Sequence, residues 1–477
     1  MKKFIAQSIQ HLIVFFCIAF FAASCDKQEF DTTAVDTTTS NNQTTQSTLR
    51  LEPQSIESLM RTYAQNHKDE KLDSVRMATV YYKFMDIMRS NERFGDKKPC
   101  HIQPIYAYGV TGVAYHEIWF AGADKTTAEG WVLLSATDKD YPLVNFSHGT
   151  PYSADLLSKA GNTGKIYRFG VSYYALETNG RKIAEHGSMP TSISNSASEK
   201  SESGTGDSKD PSLESKNGKV ALTEGSDYFT IHSYDELKQL FPKYYFSENR
   251  KRTASQMNDK FFADNSLNKI STRAYQYRYI AGSHGFYTQI PGNSGYNPFP
   301  CWSGCNNNAW ANIYAWWDRN MSKGYLIPTT ATGETSPIYR NTYYRQVSSD
   351  PVQMYCRSVS NTYCGSGTGW TLWSDCWRGS LYAGSKGYGY TYYYQWCNSG
   401  GCNINLANIA TDGIANNYRP VHIGANSHFY VGYGWSQWDT NTDWTWAYCY
   451  PGWAESNKDD VWILWHDWNA AVKLFIN

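Results

Sequence analysis

The residues best suited to joint chemistry are a cysteine in CWSGCNNNAWANIYAWW (residues 301–317) and a histidine in RPVHIGANSHFYVGYGW (residues 419–435). A loop rich in Pro, Gly, Ser and Asn (residues 291–300) runs into the first motif. Helical periodicity then begins: Ala309, Ile313 and Trp317 step by four, with Trp310 and Tyr314 beside them. The Ser and Asn residues ahead of this stripe suit a helix start, so Cys305 falls at or just before the first turn. Unpaired backbone N–H groups and the helix dipole favour an anion there. The expectation is a thiol of lowered pKa, as a cysteine nucleophile needs. The competing reading is half of a disulfide, common for an exported cysteine, and only a partner base tips the balance.

Four histidines lie in the C-terminal part: His284, His422, His428 and His466. Pro420 to Ile423 reads as one strand, Asn426–Ser427 as a turn, and His428 to Tyr433 as the next strand. A histidine on the first residue of a strand beside the nucleophile helix can take the thiol proton and later protonate a leaving amine. The alternative is an ordinary strand histidine.

The elements that position these residues follow from composition. Net charge is zero, with 43 basic and 43 acidic residues, which argues against nucleic acid as a partner. Aromatics are 16% of residues, including 38 Tyr and 18 Trp, a composition that also suits peptide or glycan binding. Nine cysteines remain after Cys17 and Cys25: Cys100, Cys301, Cys305, Cys356, Cys364, Cys376, Cys397, Cys402 and Cys449. Their density late in the chain suits an oxidising compartment, and the odd total points to one free thiol, assigned to Cys305, with Cys301 in a disulfide. No cysteine or histidine spacing supports a metal site, and no cofactor is expected.

Residues 1–25 read as a targeting segment: Lys2 and Lys3, the short apolar run 12–23, then Ala22, Ala23, Ser24 and Cys25. This resembles a bacterial lipoprotein signal, although Ala22 stands where Leu is usual. The resemblance implies lipidation of Cys25, an exported chain in the cell envelope, and a membrane link through that lipid only. Residues 26–50 read as a polar tether. Residues 51–187 read as an α+β region. Its helical repeats are Leu59, Met60, Tyr63 and Val80, Tyr81, Phe84, Ile87, Met88, followed by short strands from about 103. Residues 188–226 read as a Ser/Gly-rich linker and 227–274 as a connecting segment. That segment carries a helix capped by Ser233 with Glu236 three residues on, and Arg250–Lys251–Arg252, suited to proteolytic cleavage if exposed. Residues 275–477 read as a second domain, with 340–400 irregular and stapled by disulfides.

Gly304–Cys305 opening an aromatic helix, followed much later by Pro–Val and His–aromatic–aromatic–Val–Gly–Tyr–Gly, resembles the papain-clan cysteine peptidases. The streptopain-like and bacteriocin-processing types are the nearest. The resemblance implies a papain-like α+β domain with Cys305 as nucleophile, His428 as general base and acid, and a protein or peptide substrate. It makes Gln289, in FYTQIPG, the side-chain donor of an oxyanion site, with Gln276 as a rival. GWVLLSATDKDYPLVNFSHGTPYSADLL, in the first region, resembles a streptopain-like pro-region, which implies a latent precursor released by cleavage. Two departures stand out. Asn306–Asn307–Asn308 replace the usual small residues after the nucleophile. AYCYPGW puts Cys449 or Tyr450 where an Asn or Asp would orient the histidine, with Trp453 placed to pack over the imidazole. The second departure keeps open a catalytically inactive papain-like binder of peptide or glycan. A cell-wall amidase and a transglutaminase-like acyltransferase are other Cys–His possibilities.

Overall fold

The computed structural model describes residues 51–477 except 71, 90, 92, 161–163, 188, 190–191, 195–198, 207–227, 264–275, 281–285, 296, 325, 328–349, 366, 398–402, 439–441 and 453–459. Cys25, Trp453 and the tether fall outside these residues.

The fold is α+β. Seven helices carry the argument: α1 (Ile56–Asn66), α2 (Ser74–Met88), α3 (Tyr152–Ala160), α4 (Tyr234–Tyr245), α5 (Glu248–Ala263), α6 (Cys305–Asn320) and α7 (Pro351–Val359). The stripes read from sequence in α1 and α2 are the buried ones: Leu59, Met60, Tyr63, Val80, Tyr81, Phe84, Ile87 and Met88 all face the core. Ser55 and Asp73 cap these two helices by accepting from Ser58 N and Arg76 N. Ser233 caps α4 through Glu236 N at 3.2 Å, and the Glu236 carboxylate accepts from His232 N at 2.6 Å.

One antiparallel sheet spans both halves of the chain. Its twelve strands are β1 (Pro99–Ile105), β2 (Tyr115–Ala121), β3 (Ala128–Ser135), β4 (Leu143–Ser147), β5 (Glu199–Gly206), β6 (Gln276–Tyr279), β7 (Tyr390–Cys397), β8 (Val421–Ala425), β9 (His428–Gln437), β10 (Thr445–Tyr450), β11 (Val461–Leu464) and β12 (Trp468–Ile476). The spatial order is β1-β2-β3-β4-β11-β10-β9-β8-β12-β7-β5, and β6 pairs with β9. The seam between the halves is β4 against β11, with Phe146 opposite Trp462 and Asn145 opposite Ile463. Asn145 Nδ2 donates to Trp462 O at 3.1 Å, and the Phe146 ring stacks on Trp462 with centroids 5.5 Å apart. Residues 49–477 form a single compact unit.

Two sequence expectations change here. The stretch read as a linker contributes a short strand, Ser192–Ser194, and β5, which pairs along β7 from Glu199–Cys397 to Gly206–Tyr390. Ladder hydrogen bonds belong to the backbone, so a polar edge strand needs no apolar side chains. The basic triplet lies inside α5, and the Arg250 side chain is only 10% exposed rather than offered for cleavage. Its guanidinium donates to Asp140 Oδ1 at 2.9 Å, to Asp467 and to Tyr245 Oη at 2.7 Å. It also lies over the Tyr245 and Tyr141 rings. It therefore joins the β3–β4 connection of the first half to the β11–β12 connection of the second.

Candidate active site

Helix α6 is buried from Cys305 to Trp317. Gly304, at φ 99°, turns the chain into it; a Cβ there would come within 2.7 Å of Gly369 O. Cys305 is the first helical residue, as read from sequence. The main-chain N–H groups of Phe429, Asn306 and Cys305 itself favour its thiolate. Burial outweighs them and pushes the thiol up to about 11, opposite to the lowered value expected from the helix start.

The hairpin carrying the histidine has the expected form. Strands β8 and β9 are joined by Asn426–Ser427, both at positive φ (48° and 68°), as a two-residue turn requires. His428 then opens β9. Helix α6 packs against β9, and the main-chain N–H of the neighbouring Phe429 favours the Cys305 thiolate.

Strand β10 pairs with β9 only as far as Val431–Tyr450, and beyond it Pro451 turns away. The Pro451 carbonyl accepts from His428 Nε2 at 2.7 Å. A carbonyl cannot donate, so Nε2 carries the proton and Nδ1 is the basic nitrogen. Cys449 and Tyr450, which stand where an Asn or Asp would orient the histidine, have these partners instead: Cys449 faces Ala447 O, and Tyr450 Oη donates to Tyr287 O at 3.1 Å. Gly452, at φ 78°, lets the turn close on α6: a Cβ there would fall 1.9 Å from the Asn308 amide. Burial pushes His428 down to about 4, while the Pro451 carbonyl acts in the other direction. Burial thus favours the neutral thiol and the neutral imidazole.

Gln289 is buried beside the start of α6, and its Nε2 has no hydrogen-bond partner among the described residues. Its neighbour Ile290 is tied to Ser303, two residues before Cys305: Ser303 N donates to Ile290 O at 2.8 Å, and Ile290 N donates to Ser303 Oγ at 2.9 Å. The rival Gln276 is exposed and pairs with Gln437 at the far end of β9. An unpartnered buried amide is a donor poised for an oxygen atom.

Asn306, Asn307 and Asn308 are buried braces. Asn307 Nδ2 donates to Ser303 O at 2.7 Å and to Thr362 Oγ1 at 3.1 Å. The Thr362 partner is not legible in the sequence, lying 55 residues from Asn307. His422, one of the four histidines of the C-terminal part, is buried on β8 with its ring stacked on Trp310 at 4.9 Å.

Cys301 pairs with Cys364, as expected for Cys301, and Cys397 is also disulfide-bonded. Cys305 is not the one free thiol expected from the odd cysteine count: Cys100, Cys305, Cys356, Cys376 and Cys449 are all free and buried. These thiols sit in apolar surroundings, where a reduced cysteine packs as a small hydrophobe. The region around 340–400 is more regular than expected, holding α7, the paired strands Tyr363–Gly365 and Thr368–Trp370, and β7.

A turn from the first half packs against the β8–β9 hairpin. Tyr430 Oη donates to Ser172 Oγ at 2.8 Å, and Gly170 approaches Asn426 so closely that a Cβ would lie 3.0 Å from its side chain. Phe169 to Tyr173 are all buried. Among the described residues, no group of three His, Cys, Asp or Glu could hold a metal, and no helix is long and apolar enough to cross a membrane. No family model, curated protein or solved structure matches the chain.

Proposed function

We propose that this chain is a papain-like cysteine peptidase, exported and lipid-anchored through Cys25, and made in a latent form. The observation carrying the reading is a helix-start thiol acted on by the N–H of Phe429, the residue next in sequence to a histidine of fixed tautomer. Cys305 faces the N–H of Phe429, and His428 Nε2–H is held by the Pro451 carbonyl. In the open enzyme His428 Nδ1 takes the Cys305 proton, and the thiolate attacks a peptide carbonyl. Gln289 Nε2 and the Cys305 N–H receive the developing oxyanion. The imidazolium then protonates the leaving amine, and water releases the acyl group from the cysteine.

Latency rests on the Phe169–Tyr173 turn lying against Asn426 and Tyr430, which flank His428. Exclusion of water is why the thiolate–imidazolium pair does not form here. The test is hydrolysis of an unspecific protein substrate by the full chain and by a variant with that turn replaced by a flexible Gly/Ser loop. Hydrolysis appearing in the opened form and lost in Cys305→Ala and His428→Ala supports the reading. Hydrolysis retained in Cys305→Ala defeats it. The burial of a neutral Cys305 and His428 also favours a second reading, an inactive binder of peptide or glycan. That reading gains if the opened form neither hydrolyses protein nor reacts with a thiol-directed electrophile faster than an ordinary cysteine.

A further inference from the structure

The Gln289 amide can serve an oxyanion only if the segment bearing it is held still, and the side chains fixing that segment come from two helices. Asn312, buried in the middle of α6, accepts from Phe286 N at 2.9 Å and from Tyr287 N at 3.1 Å. Its Nδ2 donates back to Tyr287 O at 3.1 Å and to Asn308 O, one turn earlier, at 2.9 Å. Gln353, buried near the start of α7, donates to Thr288 O at 3.0 Å and accepts from Ser303 Oγ at 2.7 Å. Asp350 fixes that helix start by accepting from Val352 N and Gln353 N, both at 2.9 Å. The backbone of 286–288 is thus fastened to the helix that Cys305 opens, and Thr288 and Ile290 are both linked to Ser303.

We infer that Asn312 and Gln353 are positioning residues for Gln289, setting the distance between its amide and the Cys305 thiol. Neither touches substrate. Each couples the oxyanion donor to the nucleophile through main-chain groups, so their contribution appears in the transition state rather than in substrate binding. The inference rests on the peptidase reading.

The test uses the full chain with the 169–173 turn opened, carrying Asn312→Asp, Gln353→Met or Gln289→Ala. Asn312→Asp keeps the acceptor for Phe286 and Tyr287 and loses the donor, so the segment shifts without a cavity. The expected result is kcat lower by about tenfold to a hundredfold, since small misplacement of a catalytic group costs on that order. KM should stay within about twofold, the signature of an interaction made only in the transition state. Affinity for a peptide aldehyde, whose adduct oxygen needs the Gln289 donor, should fall in parallel. Alkylation of Cys305 by iodoacetamide, which needs no such donor, should keep its rate. Combining either change with Gln289→Ala should add little further loss. Full additivity with Gln289→Ala, or an unchanged kcat in both variants, overturns the positioning role while the peptidase reading survives. Absence of Cys305-dependent hydrolysis in the opened parent chain overturns the peptidase reading and the inference with it.

Discussion

Replacing Arg250 by Met tests how the two halves are joined, and the structure sets the size of the effect. The guanidinium contacts two carboxylates, Asp140 and Asp467, whose side chains are 2% and 0% exposed. Met fills much of the same volume, so little of the loss comes from packing. What remains is two buried carboxylates without their cation, and breaking a buried pair of this kind costs about 3–5 kcal/mol. Burial already raises Asp467, and Arg250 opposes that rise. Without the arginine its native pKa climbs further above the unfolded value of about 3.9. A carboxyl raised in the native state contributes stability below its unfolded pKa and loses it as pH rises through the folded pKa. The defect of Arg250→Met should therefore be small near pH 4 and grow toward pH 7. Urea unfolding followed by tryptophan fluorescence measures it, with Lys251→Ala as the control. Lys251 is about half exposed and, among the described residues, pairs only with Glu248, so its removal should stay within about 0.5 kcal/mol. A defect below about 1 kcal/mol at pH 7, or one independent of pH, would refute the account and return Arg250 to the solvent.

Three further outcomes are expected. Iodoacetamide should label Cys305 slowly in the intact chain below pH 8.5, with a rate still climbing toward pH 11; fast labelling at neutral pH would contradict the burial of the thiol. A specific protease site placed within residues 207–226 and cut should leave two pieces that co-elute on gel filtration, because β4–β11 and Arg250 still join them; separation without denaturant would be the contrary result. Gly452→Ala should lower kcat in the opened chain and destabilise it by roughly 1–3 kcal/mol, from strain at φ 78° and the clash with Asn308. Unchanged activity in that variant would separate the Pro451 carbonyl from catalysis.

What the sequence made legible was local. The α6 stripe, the Asn426–Ser427 hairpin, the Ser233 cap and the two early helices each depend on residues within a few positions of one another. Their periodicity and turn chemistry therefore carried them. The long-range facts did not show. Arg250 sits in a triplet that reads as solvated surface, and its burial comes from Asp140 and Asp467, 110 and 217 residues away. The acceptor for His428 is a main-chain carbonyl, a group every residue carries, so no side-chain motif could announce it.

Cys305 shows most clearly why local reasoning reached the position and missed the state. The helix start and nearby N–H groups do favour the thiolate, and they act on it as expected. Their effect is outweighed by desolvation, and the distant Phe169–Tyr173 turn packs against Asn426 and Tyr430, on either side of His428. The local features favour the charged form of each group, while burial favours the neutral form. On the proposed reading these are two states of one site. Because β4 and β11 continue the same sheet, the reactive state is reached most directly by moving that turn, with the first half still in place.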